Sequence, residues 1–238
     1  MKKIHVLGKT PEVVENLKKE IGNEGFCVCE ENPDLVVSFG GDGMFLIAER
    51  IFPGVPKLLI RDSDVGNNCH DVELISALRK FCGGDFEIKE TRKLKAVQRG
   101  RFEVRELVGV NDIVIRNSLP TEAIRFRFRV DEGDWSNVLI GDGLVVSTPF
   151  GSTKGAYFYS IEQKSFNEGI GVAFNNVTEK KEALFLGEKD SLEIEIVRGV
   201  GVLVSDNNRD FVNLEQDDKI KLSLIDNVAR RVVLKDGK

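Results

Sequence analysis

The chain has 238 residues, 41% hydrophobic and 31% charged, which suits an ordinary soluble globular protein of one large domain or two smaller ones. Its formal net charge of -5, with acids interleaved among the lysines and arginines, argues against a general nucleic-acid binder, whose phosphate-facing surface carries a basic excess. No apolar run approaches the ~18 residues of a membrane span, and the opening MKKIHVLGK is too poor in apolar residues for a secretory leader. A cytoplasmic protein without membrane or nucleic-acid partners is therefore expected.

From the start to about residue 85, short β-branched runs alternate with helical patterns. KIHVLG reads as a strand, and PEVVENLKKEIG as a helix with Val13, Val14, Leu17 and Ile21 at helical spacing. In FCVCE, period-2 alternation puts Cys27 and Cys29 on one strand face, where two inert thiols are the simple reading, since free cysteine behaves as a small hydrophobe. The strand DLVVSFG follows, then a helix from about Met44 to Ile51, the strand KLLIRD, and the helical DVELISALRKFC. Strand and helix in alternation predict a parallel sheet covered by helices. None of the four cysteines has Cys-x-x-Cys spacing; the adjacent Cys69 and His70, taken with His5, are a weak candidate for a metal site.

Beyond residue 85 the helical period fades and strands dominate. An α/β domain over 1–85 followed by a mostly β domain over 86–238 is expected. AIRFRFRV alternates Ile124, Phe126, Phe128 and Val130 with Arg125, Arg127 and Arg129, the pattern of a strand with one wet face. Its arginines read as a solvated row in preference to a phosphate comb, and the single Trp135 falls in the turn DEGDWSN.

Two stretches carry chemistry. DLVVSFG is a near-continuous apolar strand of the kind buried in parallel sheets, and it runs straight into GGDG. Ligands of such sheets sit beyond the C-terminal strand ends. Gly40, Gly41 and Gly43 lack Cβ atoms, so their N–H groups can approach a phosphate closely, and the helix that follows adds its positive end. Asp42 stands out there: a carboxylate beside phosphate is repelled unless it binds a metal, bonds a hydroxyl or takes a proton. A Gly-Asp-Gly turn with Asp42 capping the helix is the plainer alternative, and four residues leave it open. The second stretch, GDGLVVSTPFGSTKGAY at 141–157, again sets an aspartate, Asp142, between glycines, Gly141 and Gly143. Its strand leads to a loop with Ser147, Thr148, Gly151, Ser152 and Thr153, small hydroxyl donors suited to a phosphate or ribose. Neither a P-loop nor a Gly-x-Gly-x-x-Gly fingerprint occurs.

Taken in order, GGDGM, VNDIVI and DGLVVSTPFGSTKGAY resemble the NAD kinase family, whose pattern is Gly-Gly-Asp-Gly-Thr, an Asn-Glu pair, and an Asp-Gly strand leading to Thr-Pro-Thr-Gly-Ser-Thr-Ala-Tyr. ETRKL at 90–94 looks like the family's Arg-x-x-Leu, and DNNRDFVNLEQDD like its late Asp-Gly turn and strand. The resemblance implies transfer of a phosphoryl group from ATP, or from a donor such as polyphosphate, to the 2′-hydroxyl of the adenosine ribose of NAD. It implies Asp42 as general base, Asn111 and Asp112 as the pair holding NAD, and Asp142, Thr153 and Tyr157 completing the nucleotide site. Mg²⁺ would bridge phosphate oxygens with no dedicated protein metal ligands, and an assembly of two or four identical chains is implied as well.

The departures are specific. Met44 replaces the loop threonine, Asp112 the glutamate and Phe150 a threonine, and Lys154 and Gly155 are extra if Tyr157 is the family tyrosine. LLIRDSDVGNNC stands where the family shows Gly-Ile-Asn, glycines and Leu-Gly-Phe; only Val65 and Gly66 look like Leu-Gly, with Asn67 at the phenylalanine. Two alternatives follow: a kinase of the same superfamily acting on a nucleoside, sugar or lipid hydroxyl, and a non-catalytic nucleotide-binding regulator.

Overall fold

The computed structural model describes residues 2–62, 68–101 and 103–235. In chain order its elements begin β1 (Lys3–Leu7), α1 (Pro11–Asn23), β2 (Cys27–Val28), β3 (Leu35–Gly40), α2 (Asp42–Ile51), β4 (Lys57–Arg61), α3 (Leu74–Gly83) and β5 (Phe86–Arg99). They continue β6 (Val104–Gly109), β7 (Asp112–Asn117), β8 (Ile124–Val130), β9 (Leu139–Gly141), β10 (Gly143–Ser147), a 3₁₀ turn at Phe150–Ser152 and α4 (Tyr157–Glu162). The chain then adds β11 (Ile170–Asn175), β12 (Leu184–Leu186), β13 (Ser191–Arg198), β14 (Gly201–Ser205), β15 (Val212–Leu214) and the long β16 (Lys219–Leu234). Two compact units result, Met1–Thr91 with Val228–Lys238, and Arg92–Asn227. The expected boundary at 85/86 falls a few residues early, and the C-terminal residues, expected in the second domain, belong with the first.

The first unit is the expected parallel sheet, ordered β2-β1-β3-β4 and extended by the end of β16, which pairs parallel to β4 at Arg231↔Lys57 and Val232↔Leu58. Central β3 explains its own apolar run: Leu35, Val36 and Val37 are fully buried between two layers. Helix α1 starts where Thr10 Oγ1 accepts the Val13 N–H at 3.3 Å with Pro11 in the first turn, and it buries Leu17 and Ile21. At the far end of β4 from the glycine loop, the buried Lys57 is paired with buried Glu49 and donates to Phe52 O at 2.5 Å, while Glu49 accepts the Gly54 N–H at 2.8 Å. Those extra bonds are what make a buried ion pair tolerable.

The second unit packs two antiparallel sheets on one core. One is ordered β12-β11-β10-β7-β14-β15; the other joins β13, β8, β9 and the first half of β16. Ile113, Ile115, Leu144 and Val146 from the first meet Phe126, Phe128, Ile194 and Ile220 from the second, as alternating strands require. The outward arginines of β8 are ion-paired across the sheet: Arg127 Nε donates to Glu195 at 2.5 Å and Arg129 Nε to Glu193 at 2.7 Å. Both guanidinium groups lie 4.8 Å from the Trp135 ring, which accounts for that tryptophan.

Local corrections follow from the same physics. Helix α2 begins at Asp42, ahead of the expected Met44, because Gly41 serves as its N-cap. The stretch after β10, expected as a loop, holds the 3₁₀ turn and α4, both too short to show a helical period. Among the described residues no helix is long and apolar enough to cross a membrane.

Candidate active site

In the first unit the apolar strand β3 leaves the sheet at Gly40, whose φ of +154° favours glycine, and a Cβ there would sit 3.3 Å from Met44 Cβ. Gly41 caps α2 with no side-chain bond, and Met44 N–H closes back onto Gly41 O at 2.9 Å. Asp42, the first helical residue, turns its carboxylate to another segment: Oδ1 accepts the Asn68 N–H at 3.1 Å and faces Cys69 Sγ at 3.6 Å. The N-cap is Gly41, so Asp42 does not fill the helix-capping role that the plainer reading gave it. Burial, then the Asp42 charge, pushes the Cys69 thiol up to about 11, so it stands as a donor and not as a thiolate nucleophile.

Arg231, from the end of β16, bonds Asn68 Oδ1 and lies within electrostatic reach of Asp42. Its burial lowers the guanidinium from its usual value while Asp42 and Cys69 oppose that shift. Lys9 flanks the loop, bonding Asp62 O at 3.1 Å, and the Asp62 N–H meets Gly40 O at 3.3 Å. The metal grouping raised from sequence does not assemble: His5 Nδ1 is 3.0 Å from Cys29 O and His70 Nε2 is 3.1 Å from Val232 O. Among the described residues no group of three His, Cys, Asp or Glu is placed to hold a metal. Cys27 and Cys29 are free and half-buried. Residues 63–67, and with them the Val65, Gly66 and Asn67 comparison, lie outside the described residues.

In the second unit a tight turn between β6 and β7 presents Asn111 and Asp112. Its organiser is Asp206, in the left-handed region at φ +48°, whose carboxylate accepts the N–H groups of Val110 at 2.8 Å, Asn111 at 2.7 Å and Asp112 at 3.3 Å. From β10, Thr148 Oγ1 donates to Val110 O at 2.6 Å, Ser147 Oγ to Asn111 O at 3.2 Å, and Thr148 N–H to Asn111 O at 2.9 Å. Gly151 is required there, because a Cβ would lie 2.1 Å from Asn111 O. Asn111, Asp112, Thr148 and Gly151 are thus brought together.

Two acceptors of this turn lack donors among the described residues. Asn111 Oδ1 is buried without a hydrogen-bond partner, and the carboxyl of Asp112, only 3% exposed, receives none. Burial first, then the Asp206 charge, raises Asp112 to about 7. Buried acceptors left open cost stability, which makes this turn a ready receptor for a ligand that carries hydroxyl donors.

The remaining sequence candidates are placed differently. Ser152 Oγ donates to Pro149 O at 2.8 Å and accepts the Phe166 N–H at 3.1 Å, and Thr153 Oγ1 donates to Phe150 O at 3.0 Å. Together with Thr148, their hydroxyls build the loop in place of pointing donors outward. Asp142 and Gly143 sit at the opposite end of β10, a five-residue strand, and so roughly 17–20 Å from Thr148 at the rise of extended chain. There Asp142 accepts from Asn117 Nδ2 at 3.4 Å and Asn176 Nδ2 at 3.1 Å, while Gly143, at φ +137°, leaves no room for a Cβ against Ile115 O. Tyr157 opens α4 with 64% of its surface exposed. Three residues were not singled out from sequence: Asn68, Asp206 and Arg231. The one available signal was Asp206 itself, an aspartate at the head of an Asn-rich turn.

The first unit is thus a parallel sheet ending in a glycine-flanked carboxylate, and a β-rich unit follows it in the chain. No protein-family model matches the chain. It is 31% identical over 154 residues to an NAD kinase of Geotalea daltonii, covering 61% of this chain and 54% of that one. An NAD kinase of Thermococcus sibiricus is 25% identical over 196 residues, covering 79% and 69%. The chain spans about half the length of the first of these curated relatives. Among solved structures, yeast NADH kinase complexed with NADH superposes with a TM-score of 0.81 at 16% identity, covering 100% of this chain and 84% of that one. An NAD kinase from Archaeoglobus fulgidus in complex with ATP gives 0.75 at 21%, covering 100% and 95%. The chain is therefore similar in sequence to NAD kinases over part of its length, and it shares the α/β and β-rich architecture of these two solved structures.

Proposed function

We propose that the protein is an NAD kinase: it transfers the γ-phosphoryl group of ATP to the 2′-hydroxyl of the adenosine ribose of NAD, giving NADP. The observation that carries this reading is Asp42, a carboxylate set among glycines at the start of α2 and not used as its cap. A site that only bound phosphates would gain nothing from it.

In this reading the hydroxyl oxygen bonds to the γ-phosphorus as the bridging bond to ADP breaks, and Asp42 takes the hydroxyl proton. Phosphoryl transfer passes through a loose transition state, so holding the hydroxyl in line contributes more than deprotonating it early. The N–H groups of the glycine loop and the N-terminus of α2 supply donors for phosphate oxygens. Asn111 Oδ1 and the Asp112 carboxyl, lacking donors among the described residues, would accept from ribose hydroxyls. Mg²⁺ fits as an ion carried by the donor: Asp42 is the one acid whose carboxylate the structure sets at the start of α2, and bound Mg²⁺ would neutralise charge on the transferring phosphates. A cytoplasmic homodimer or homotetramer belongs to the same reading and rests on the resemblance.

The test is a coupled assay of purified protein with Mg²⁺, ATP and NAD, read by a dehydrogenase that accepts only NADP, with Asp42→Asn alongside. NADP formation that needs both substrates and vanishes in the variant is expected. No NADP with ATP or polyphosphate, and with NAD or NADH, would overturn the assignment.

A further inference from the structure

A carboxylate at the N-terminus of α2 poses an electrostatic problem, because the glycine loop that invites phosphate also places two anions side by side. The first unit contains an answer from an unexpected part of the chain. We propose that Arg231 is the positioning residue for Asp42: through Asn68 it fixes the segment that orients the carboxylate, and its charge lets Asp42 stand beside phosphate during transfer. This inference rests on the kinase reading above.

Asp42 Oδ1 accepts the backbone N–H of Asn68 at 3.1 Å, and the side chain of the same Asn68 accepts from Arg231 Nη1. A single residue therefore links carboxylate and cation. The segment it belongs to is stitched on both sides. His70 N–H donates to Leu59 O at 2.8 Å and Arg61 N–H to His70 O at 2.9 Å, tying it to β4. His70 Nε2 meets Val232 O at 3.1 Å, tying it to β16. Arg231 is in turn held by the β16–β4 register, opposite Lys57.

The residue type matters. A guanidinium keeps its charge when partly buried and can bond Asn68 with one nitrogen while presenting others elsewhere, whereas a lysine offers a point charge that loses its proton more readily on burial. Val65, Gly66 and Asn67 stand where the family shows Leu-Gly-Phe, and the Asn68–Arg231 link occupies the end of that divergent segment.

The experiment compares wild type, Arg231→Ala, Arg231→Lys and Asn68→Ala by steady-state kinetics and by hydrogen exchange. Arg231→Ala should lower kcat on the order of 10²-fold, as loss of a preorganised charge does, with KM for both substrates within about threefold. Guanidinium ion at tens of millimolar should restore about tenfold or more to Arg231→Ala and nothing to Asp42→Asn. Arg231→Lys should fall between the two. Asn68→Ala, which keeps the backbone donor and removes the acceptor for Arg231, should cost about tenfold, and it reads the same link if Arg231→Ala fails to fold. Turnover within about twofold of wild type in Arg231→Ala, or a loss confined to KM and untouched by guanidinium, would overturn the proposal. Hydrogen exchange needs no turnover: the Asn68 amide should exchange faster in Arg231→Ala. A wild-type protein that makes no NADP would sink the kinase reading, while unchanged Asn68 exchange would sink the link.

Discussion

Asp42 and Asp112, the two carboxylates that the kinase reading assigns to the site, both open regular elements, and their surroundings are opposite. Asp42 is half-exposed at the head of α2, and its partners are an amide, a thiol and the charge of Arg231. Asp112 is buried at the head of β7, accepts no hydrogen bond from the described residues, and feels another carboxylate, Asp206. In the proposed reading, the first environment holds a carboxylate in place for chemistry. The second leaves an acceptor unsatisfied, at a cost in stability, until a ligand brings the donor. Functional sites are where such local conflict is expected.

The sharpest way to break this comparison is Asp42→Asn, which keeps the shape and an acceptor for Asn68 but removes the charge. Turnover should fall on the order of 10² or more, the range for loss of a general base, about 2.7 kcal/mol in the barrier. The melting temperature should barely move; near-normal turnover would strip Asp42 of its assigned role. Asp206→Ala should show the reverse pattern, acting on stability. It removes the acceptor of three backbone amides, at a cost of about 2–3 kcal/mol, and should lower Tm by roughly 5–10 °C in a chain of this size. Calorimetry giving a wild-type Tm would mean those amides find other acceptors. Smaller again, Asp112→Ala should weaken NAD binding about tenfold through loss of a buried acceptor, with ATP binding little changed. Equal loss for both nucleotides in titration calorimetry would mean the dinucleotide is misassigned.

How much of this was legible in the sequence follows from what each signal records. The run DLVVSFG followed by glycines gave the parallel strand and its loop, because burial on both faces leaves a continuous apolar stretch. AIRFRFRV gave a strand with one buried face, since Phe126 and Phe128 alternate with arginines. The pairing of those arginines with Glu193 and Glu195 needed the register. That the last strand returns to the first unit was not legible, because the pattern of RRVVLK reports burial and not which sheet a strand joins; Arg231 was overlooked for that reason. The three-residue strands β9, β12 and β15 are shorter than any period can reveal. Ser147, Thr148, Ser152 and Thr153 read as ligand donors because hydroxyls look alike in sequence whether they face a ligand or, as here, close a loop. Asp206 was seen only as the start of the late DNNRD turn, and its role was not legible because its partners are backbone amides, which carry no residue identity.

The smallest expected effect tests the Asp112 half of the comparison without any substrate. Its carboxyl is raised from an ordinary value of 3.8 to about 7 in the folded protein. Between those values the folded protein keeps a proton that the unfolded chain gives up, so stability falls as pH rises across this window. The contribution is fully present below the ordinary carboxylate value and has gone once pH passes about 7. Asp112→Asn holds the neutral shape at every pH and should flatten that decline. At pH 8 the variant should be the more stable protein by on the order of 1 kcal/mol, less than the full shift because an ionised buried carboxylate relaxes and draws in water. At or below pH 3.8 the two should match. Parallel denaturation curves at both pH values would show that Asp112 is not the buried, uncompensated group described above, and the contrast with Asp42 would lose its physical basis.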